Sequence, residues 1–345
     1  MALRVVVVDD SAYMRKTLKE MLSRSAEIEV VGIARDGLDA LDVVAELNPD
    51  VVTCDLVMPE MGGLDFVHAQ MARRPVPIVL ISVVDGRAEE VLQALEAGAV
   101  DFVQKPTARA TDRILHIATE LVAKVKAAGG VPQNRLRRPP AVSAAAVTVP
   151  PLRAAGRVDV VVLGISTGGP QALRQVLPLL PADCPVPIVV VIHMPEGYTE
   201  LYAQKLDEIC DVKVLEATEG LALEPATVWI APAGRHLSLR RDADGQVRAD
   251  LSAEPRSTPH RPSVDVLFAS AARVFGARTL GVVMTGMGAD GREGAAWIKA
   301  RGGSVLTESE ETCVVYGMPR SVMEAGLSDA SVPLERMALA IMERL

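Results

Sequence analysis

Residues 159–170 read D-V-V-V-L-G-I-S-T-G-G-P. The Val/Leu run predicts a short strand buried on both faces, the kind found inside parallel sheets. Gly164, Ser166 and Gly168 then spell G-x-S-x-G. Small residues permit a sharp turn there, which would raise the serine Oγ at the strand's carboxyl end. Pro170 suits the first position of a following helix. Ser166 would then lie beside the unsatisfied N–H groups of a helix N-terminus, where an oxyanion could be received. The same letters also fit a plain glycine turn with a chance serine, so the rest of the chain must decide.

With 345 residues the chain is long for one domain and predicts two. Hydrophobic residues make up 49% and aromatics only 3%, so the cores must be built from Val, Leu, Ile, Ala and Met. A net charge of −8 argues against a nucleic-acid footprint. Cys54, Cys184, Cys210 and Cys313 lie far apart with no metal-like spacing, and read as thiols in a reducing compartment. No apolar run reaches the ~18 residues of a membrane helix, and no signal-peptide pattern precedes the first strand. The expectation is a soluble cytoplasmic protein without direct membrane insertion.

Residues 1–126 alternate strand and helix. Strands are predicted at 3–8, 30–34, 51–54, 77–82 and 99–103, and helices at 12–24, 36–47, after Gly62-Gly63, at 87–97 and at 111–127. This alternation implies a five-stranded parallel sheet covered on both faces. Asp9, Asp10, Asp55, Ser82 and Lys105 fall at the carboxyl ends of the strands, where open α/β sheets bind ligands. One Asp there is usually a turn or cap residue. Three together repel unless a cation joins them, and such oxygen ligands suit Mg²⁺. A lysine and a hydroxyl beside them could grip a phosphoryl group.

Over this length the chain resembles a response-regulator receiver domain, on V-V-V-V-D-D-S (5–11), C-D-L-V-M-P-E-M-G-G-L-D (54–65) and D-F-V-Q-K-P (101–106). The resemblance implies a flavodoxin-like fold in which Asp55 takes a phosphoryl group from a histidine kinase. It implies that Asp9, Asp10 and Asp55 bind Mg²⁺ and that Lys105 contacts the phosphoryl oxygens. Ser82 would be the switch hydroxyl and Phe102 its aromatic follower. The Lys105–Pro106 bond is a candidate cis peptide. Residues 127–156 lose periodicity, are rich in Ala, Pro and Arg, and read as a linker.

Residues 157–345 again predict a mostly parallel, doubly wound, Rossmann-like sheet, with a hairpin around the Asp244-Gly245 turn. Three strand ends carry Ser166, His193 and Asp290. A serine needs a base within reach, and the base needs an orienting carboxylate. Ser166 is the candidate nucleophile, His193 the base and Asp290 the carboxylate, with N–H groups around Thr167, Gly168 and Met287 as oxyanion donors. Of the five histidines, His260 is the rival base, while His236 reads as a hairpin-edge residue and His68 and His116 as helix residues. Arg261 and Asp265 read as an ion pair or as cleft walls.

Gly286-x-Gly288-x-x-Gly291, followed by Glu308, also matches a dinucleotide fingerprint in spacing. An acidic Asp290 at that helix N-terminus would repel a pyrophosphate. The order serine, histidine, acid also departs from that of α/β-hydrolases. The second half instead resembles the chemotaxis protein-glutamate methylesterases, on G-I-S-T-G-G-P (164–170), I-H-M-P-E-G-Y-T (192–199), H-R-P-S-V-D-V-L-F (260–268), M-T-G-M-G-A-D-G (284–291) and C-V-V-Y-G-M-P-R (313–320). That implies demethylation of glutamate methyl esters on chemoreceptors, and deamidation of receptor glutamines, with no cofactor for the hydrolysis itself. A separate expectation is regulation, the receiver covering the cleft until Asp55 is phosphorylated. The alternative is a phosphorylation-switched scaffold that binds receptors without catalysis.

Overall fold

The computed structural model describes residues 2–82, 87–105, 111–136 and 157–345. They form two compact units. In the first, β1 (Leu3–Val8), α1 (Ala12–Leu22), β2 (Ile28–Ala34), α2 (Gly37–Leu47), β3 (Val51–Asp55), α3 (Gly63–Arg73), β4 (Ile78–Ser82), α4 (Ala88–Glu96), β5 (Asp101–Gln104) and α5 (Thr111–Gly129) alternate, and a short α6 (Gln133–Leu136) follows. The five strands are parallel in the order β2-β1-β3-β4-β5. That is the flavodoxin-like order, whose reversal beside β1 opens a crevice at the carboxyl ends.

Local chemistry explains the elements. Val5, Val6, Val7 and Val8 are all 0% exposed, so both faces of β1 are covered, and β-branched residues suit that environment. The Ser11 hydroxyl accepts the Met14 N–H (3.3 Å) and caps α1. Asp36 Oδ1 accepts the Asp39 N–H (2.9 Å) and caps α2. Each cap contributes about 1 kcal/mol.

The expected linker begins too early. Its first residues complete α5, with Ala128 fully buried and Val131 nearly so. Leu121, Val125 and Ala128 continue one helical stripe, which alanine-rich composition disguises. Residues 137–156 and the Lys105–Pro106 bond lie outside the described residues.

The second unit contains β6 (Val160–Ile165), α7 (Gly169–Val176), β7 (Ile188–Ile192), α8 (Thr199–Asp207), β8 (Lys213–Glu216), β9 (Thr227–Ile230), β10 (His236–Arg241), β11 (Val247–Ser252), α9 (Val264–Phe275), β12 (Thr279–Val283), α10 (Arg292–Ala300), β13 (Ser304–Glu308), α11 (Met318–Glu324), β14 (Ala330–Val332) and α12 (Leu334–Met342). Seven parallel strands run β14-β13-β12-β6-β7-β9-β8, and β10 and β11 form the expected antiparallel hairpin. The three-residue β14 is too short to be read from sequence. One core cluster joins Val160 and Val162 of β6 to Phe268 of α9 and Ile298 of α10. Truncating the fully buried Phe268 to Ala would cost ~3–5 kcal/mol.

Strand β6 has β7 on one side and β12 on the other, so chain direction through the sheet reverses at β6. Such a switch point is where loops part and a ligand can enter. Ser166 follows β6, His193 follows β7, and Asp290 lies in the loop after β12.

Candidate functional site

The first unit gathers its acidic residues as predicted from their strand ends. Asp9 is fully buried, Asp55 is nearly so, and Asp10 is exposed. The Lys105 ammonium reaches Asp55 Oδ2 at 2.5 Å and Asp9 Oδ2 at 2.9 Å. Burial lifts the Asp55 pKa above the usual carboxylate range, with Asp9 adding to it and Lys105 opposing. Burial also works against the Lys105 charge, but hydrogen bonds and attraction to Asp55 and Asp9 prevail and raise its pKa.

Asp9, Asp10 and Asp55 each offer an oxygen, all within 4.8 Å of one another. Clustered carboxylate oxygens of this kind are the donors Mg²⁺ takes, and exposed Asp10 leaves that side open to water. Ser82 is buried at the end of β4, one residue beyond Ile81, the partner of Asp55 in the ladder. Phe102 is buried on β5, with Lys124 Nζ 5.6 Å from its ring centre.

In the second unit, Ile165 pairs with Ile192 across β6 and β7, so Ser166 and His193 are the next residues on neighbouring strands. The His193 N–H donates to Ile165 O (3.1 Å) and the Ser166 N–H to Thr285 O (2.9 Å). The turn needs its glycine. Gly168 has φ 78°, and a Cβ there would lie 2.6 Å from Val314 Cβ.

His193 Nε2 lies 2.8 Å from Asp290 Oδ2. The carboxylate also accepts the Ser263 hydroxyl (2.9 Å) and the N–H groups of Val264 (2.8 Å) and Asp265 (3.0 Å). Burial alone would raise its pKa, but the hydrogen bond and charge of His193, with the backbone donors, hold it well below the usual range. An ionised acceptor at Nε2 fixes the proton there and leaves Nδ1 as the basic nitrogen. Nδ1 is buried and has no hydrogen-bond partner among the described residues, so the link to Ser166 is not closed in this arrangement. Catalytic hydrogen bonds commonly tighten only when substrate is bound.

His260, the rival base, stacks on His193 with ring centres 4.1 Å apart and planes 17° from parallel. It supports the ring whose Nε2 Asp290 holds. Thr167 is buried, its carbonyl accepting the Thr285 hydroxyl at 2.9 Å. The N–H groups of Gly168 and Met287 donate to no protein acceptor among the described residues.

Residues 161–341 match the sequence profile of the CheB methylesterase family, and residues 5–117 that of the response regulator receiver domain. The chain belongs to the CheB methylesterase family. A Myxococcus xanthus protein named protein-glutamate methylesterase/protein-glutamine glutaminase 5 is 50% identical over 343 residues, covering 99% of this chain and 97% of that protein. A Thermotoga maritima protein-glutamate methylesterase/protein-glutamine glutaminase is 39% identical over 342 residues, covering 99% of this chain and 98% of that one. The crystal structure of the Thermotoga maritima CheB methylesterase catalytic domain is similar at TM-score 0.53 and 40% identity, covering 55% of this chain and 100% of that one. The protein is thus a response-regulator methylesterase. None of its described helices is long and apolar enough to cross a membrane.

Two sequence expectations for this methylesterase site need correction. Asp265 accepts the Gly291 N–H (2.9 Å) and the Gly294 N–H (2.7 Å) through one oxygen, so it caps α10 rather than pairing with Arg261. It is therefore Asp265, not Asp290, that fills the helix N-terminus a pyrophosphate would need. His236 does start hairpin strand β10, yet it is 1% exposed and binds Pro255 O, the Thr258 hydroxyl and the Ser263 N–H. Ser263 was missed, although a serine just before an apolar helical run is a helix-start signal. Thr285 carried no such signal, because its role lies in contacts far along the chain.

Proposed function

We propose that this methylesterase hydrolyses glutamate methyl esters on chemoreceptors, with Ser166, His193 and Asp290 as its machinery. The observation that carries the reading is the His193 Nε2–Asp290 contact, which leaves Nδ1 unpartnered on the strand next to Ser166. Ser166 Oγ attacks the ester carbonyl while Nδ1 accepts its proton. The oxyanion draws on N–H groups of the Thr167-Gly168 turn and of Met287, each such donor contributing about 3 kcal/mol in comparable sites. The C–O bond to the methoxy group breaks, and the Nδ1 proton leaves with methanol. Water then gives a proton to Nδ1 and attacks the acyl-serine carbonyl; the C–Oγ bond breaks, the Nδ1 proton passes to Oγ to regenerate Ser166, and a glutamate side chain is left. A glutamine amide would follow the same course and release ammonia.

A histidine kinase, or a small acyl phosphate, would supply the phosphoryl group that Asp55 accepts. Mg²⁺ held by Asp9, Asp10 and Asp55 would offset the charge of that group. Lys105, already paired with Asp55, would turn to its oxygens, and Ser82 would follow from the end of β4. Phosphorylation would then raise the esterase rate of residues 157–345.

The test is methanol release from methylated receptor, with and without acetyl phosphate. Ser166→Ala is expected to abolish release while Asp55 still labels. Normal turnover in that variant would refute the assignment. A serine-directed phosphonate that leaves Ser166 unlabelled would favour a receptor-binding scaffold instead.

A further inference from the structure

Glu308 ends β13 with its side chain 0% exposed. A buried carboxyl is costly unless its oxygens are matched by donors. Here the Thr285 N–H donates to Oε2 at 2.9 Å and the Thr312 hydroxyl to Oε1 at 3.0 Å. Burial still pushes its pKa up to about 7, against the pull of those two donors and Cys313.

Thr285 is where this matters. Its carbonyl accepts the Ser166 N–H at 2.9 Å. Its hydroxyl donates to Thr167 O at 2.9 Å and accepts the Val315 N–H at 3.0 Å. The next residue, Gly286, donates to Val315 O and accepts from Met318 N. A Cβ on Gly286 would come within 2.7 Å of Ser166 Cβ, so the two turns are in close contact. Thr312 in turn accepts the Leu334 N–H at 3.1 Å, tying the carboxyl to the start of α12.

We infer that Glu308 is a positioning residue for ester hydrolysis: it grips Thr285 and so fixes the turn that carries the Met287 donor against the turn that carries Ser166. The inference rests on the reading of Ser166 as nucleophile. The Glu308 side chain does not reach the substrate. It acts through the Thr285 backbone on one side and the Ser166-Thr167 turn on the other. A shift of one turn against the other would misplace nucleophile and oxyanion donor relative to each other, a change that acts on kcat rather than on substrate capture.

The experiment uses the full chain and compares Glu308→Leu, Glu308→Gln, Thr285→Val and Thr285→Ser with Ser166→Ala. Methanol release gives kcat and KM, a serine-directed fluorophosphonate reports the reactivity of position 166, and acetyl phosphate labelling of Asp55 checks the first unit. Glu308→Leu is expected to lower kcat and the fluorophosphonate rate together, roughly 10–100-fold, with Asp55 labelling unchanged. KM is expected to stay within about twofold. Glu308→Gln keeps an acceptor for the Thr285 N–H and is expected to recover most of kcat. Thr285→Val removes the hydroxyl contacts and is expected to resemble Glu308→Leu, whereas Thr285→Ser recovers. Should Glu308→Leu fail to fold, the Thr285 pair decides alone. Wild-type kcat in folded Glu308→Leu or in Thr285→Val, with Ser166→Ala inactive, would overturn the inference. An active Ser166→Ala would instead overturn the nucleophile assignment beneath it.

Discussion

Asp290 and Asp265 cap each other's helix. Asp290, from the loop before α10, accepts the first N–H groups of α9, at Val264 and Asp265. Asp265, in the first turn of α9, accepts the N–H groups of Gly291 and Gly294 around the start of α10. Each carboxylate sits at a partial positive pole and completes donors that the other helix leaves open. The His193 partner is therefore locked in place by two helices rather than by a flexible loop. Their charges still oppose each other. Burial, with Asp290 adding to it, raises the Asp265 pKa to about 6, while Asp290 is held ionised.

Asp290→Asn tests this arrangement. An amide must turn its NH₂ toward either His193 and Val264 N or the Ser263 hydroxyl and Asp265 N, and either choice sets donor against donor. Facing His193, it forces the proton onto Nδ1, where the base is needed. We expect kcat to fall by about 10³–10⁴-fold, the scale for a wrong tautomer. With the like charge gone, the Asp265 pKa is expected to drop, which carboxylate NMR titration of the folded variant would show. An unchanged Asp265 titration would mean that the two carboxylates do not sense each other.

Glu308 makes a prediction for stability. Its folded pKa of about 7 lies above the ordinary 4.5. Below pH 4.5 both folded and unfolded states carry the proton, so the site contributes no pH dependence. Between 4.5 and 7 only the folded state holds it, and stability falls as pH rises. Above pH 7 the full cost is reached, roughly 3 kcal/mol at about 1.4 kcal/mol per pH unit. Glu308→Gln removes this titration. The stability gap is expected to move in favour of the variant from pH 5 to pH 8, as measured by denaturant unfolding. Parallel profiles for the two proteins would place the Glu308 pKa near its ordinary value.

The alternation of strand and helix, both sheets and the placement of Ser166 and His193 directly after their strands were legible because hydrophobic period and parallel topology are local signals, whereas Asp290 lies seven residues beyond β12, beside the start of α10. The end of α5 was not, because an alanine-rich stripe looks like linker. The supports of the site were illegible for a different reason. Thr285, Ser263 and His236 act through partners distant along the chain, 27 positions for His236 and Ser263, 27 for Ser263 and Asp290, and 118 for Thr285 and Thr167. Glu308 was visible only as part of a nucleotide fingerprint. That reading fails because Asp265, from another helix, fills the anion site.

Metal removal separates the two units chemically. Asp9, Asp10 and Asp55 are the proposed Mg²⁺ ligands, and the steps proposed for Ser166 route no charge through them. EDTA is expected to block Asp55 labelling by acetyl phosphate and any rate gain that follows from it. Basal methanol release is expected to persist. Asp9→Asn leaves one charge fewer at the ion, and calorimetric Mg²⁺ affinity is expected to weaken about tenfold or more. Mg²⁺-independent labelling would remove the ion from this account.

His236 gives the last prediction. Its Nδ1 accepts the Ser263 N–H at 3.2 Å, so the proton sits on Nε2, which faces Pro255 O and the Thr258 hydroxyl at 3.1 Å each. The neutral ring thus ties both ends of the segment that presents His260 to His193, and it holds Ser263, which bonds Asp290. Burial depresses its pKa, the Pro255 carbonyl and the charges of Asp290 and Glu254 oppose this, and Arg261 adds to it. For a histidine with a lowered folded pKa, the unfolded chain takes the proton first, so stability is lost as pH falls below about 6.5. Protonated Nδ1 would also set donor against the Ser263 N–H. His236→Asn retains an acceptor close to the Nδ1 position, whereas His236→Leu retains none. We expect His236→Leu to lose kcat by about tenfold or more and His236→Asn to keep most of it. The Leu variant is also expected to lose the His236 share of the acid instability in denaturant unfolding. Equal kcat in the two variants would show that the Ser263 contact does not support the catalytic pair.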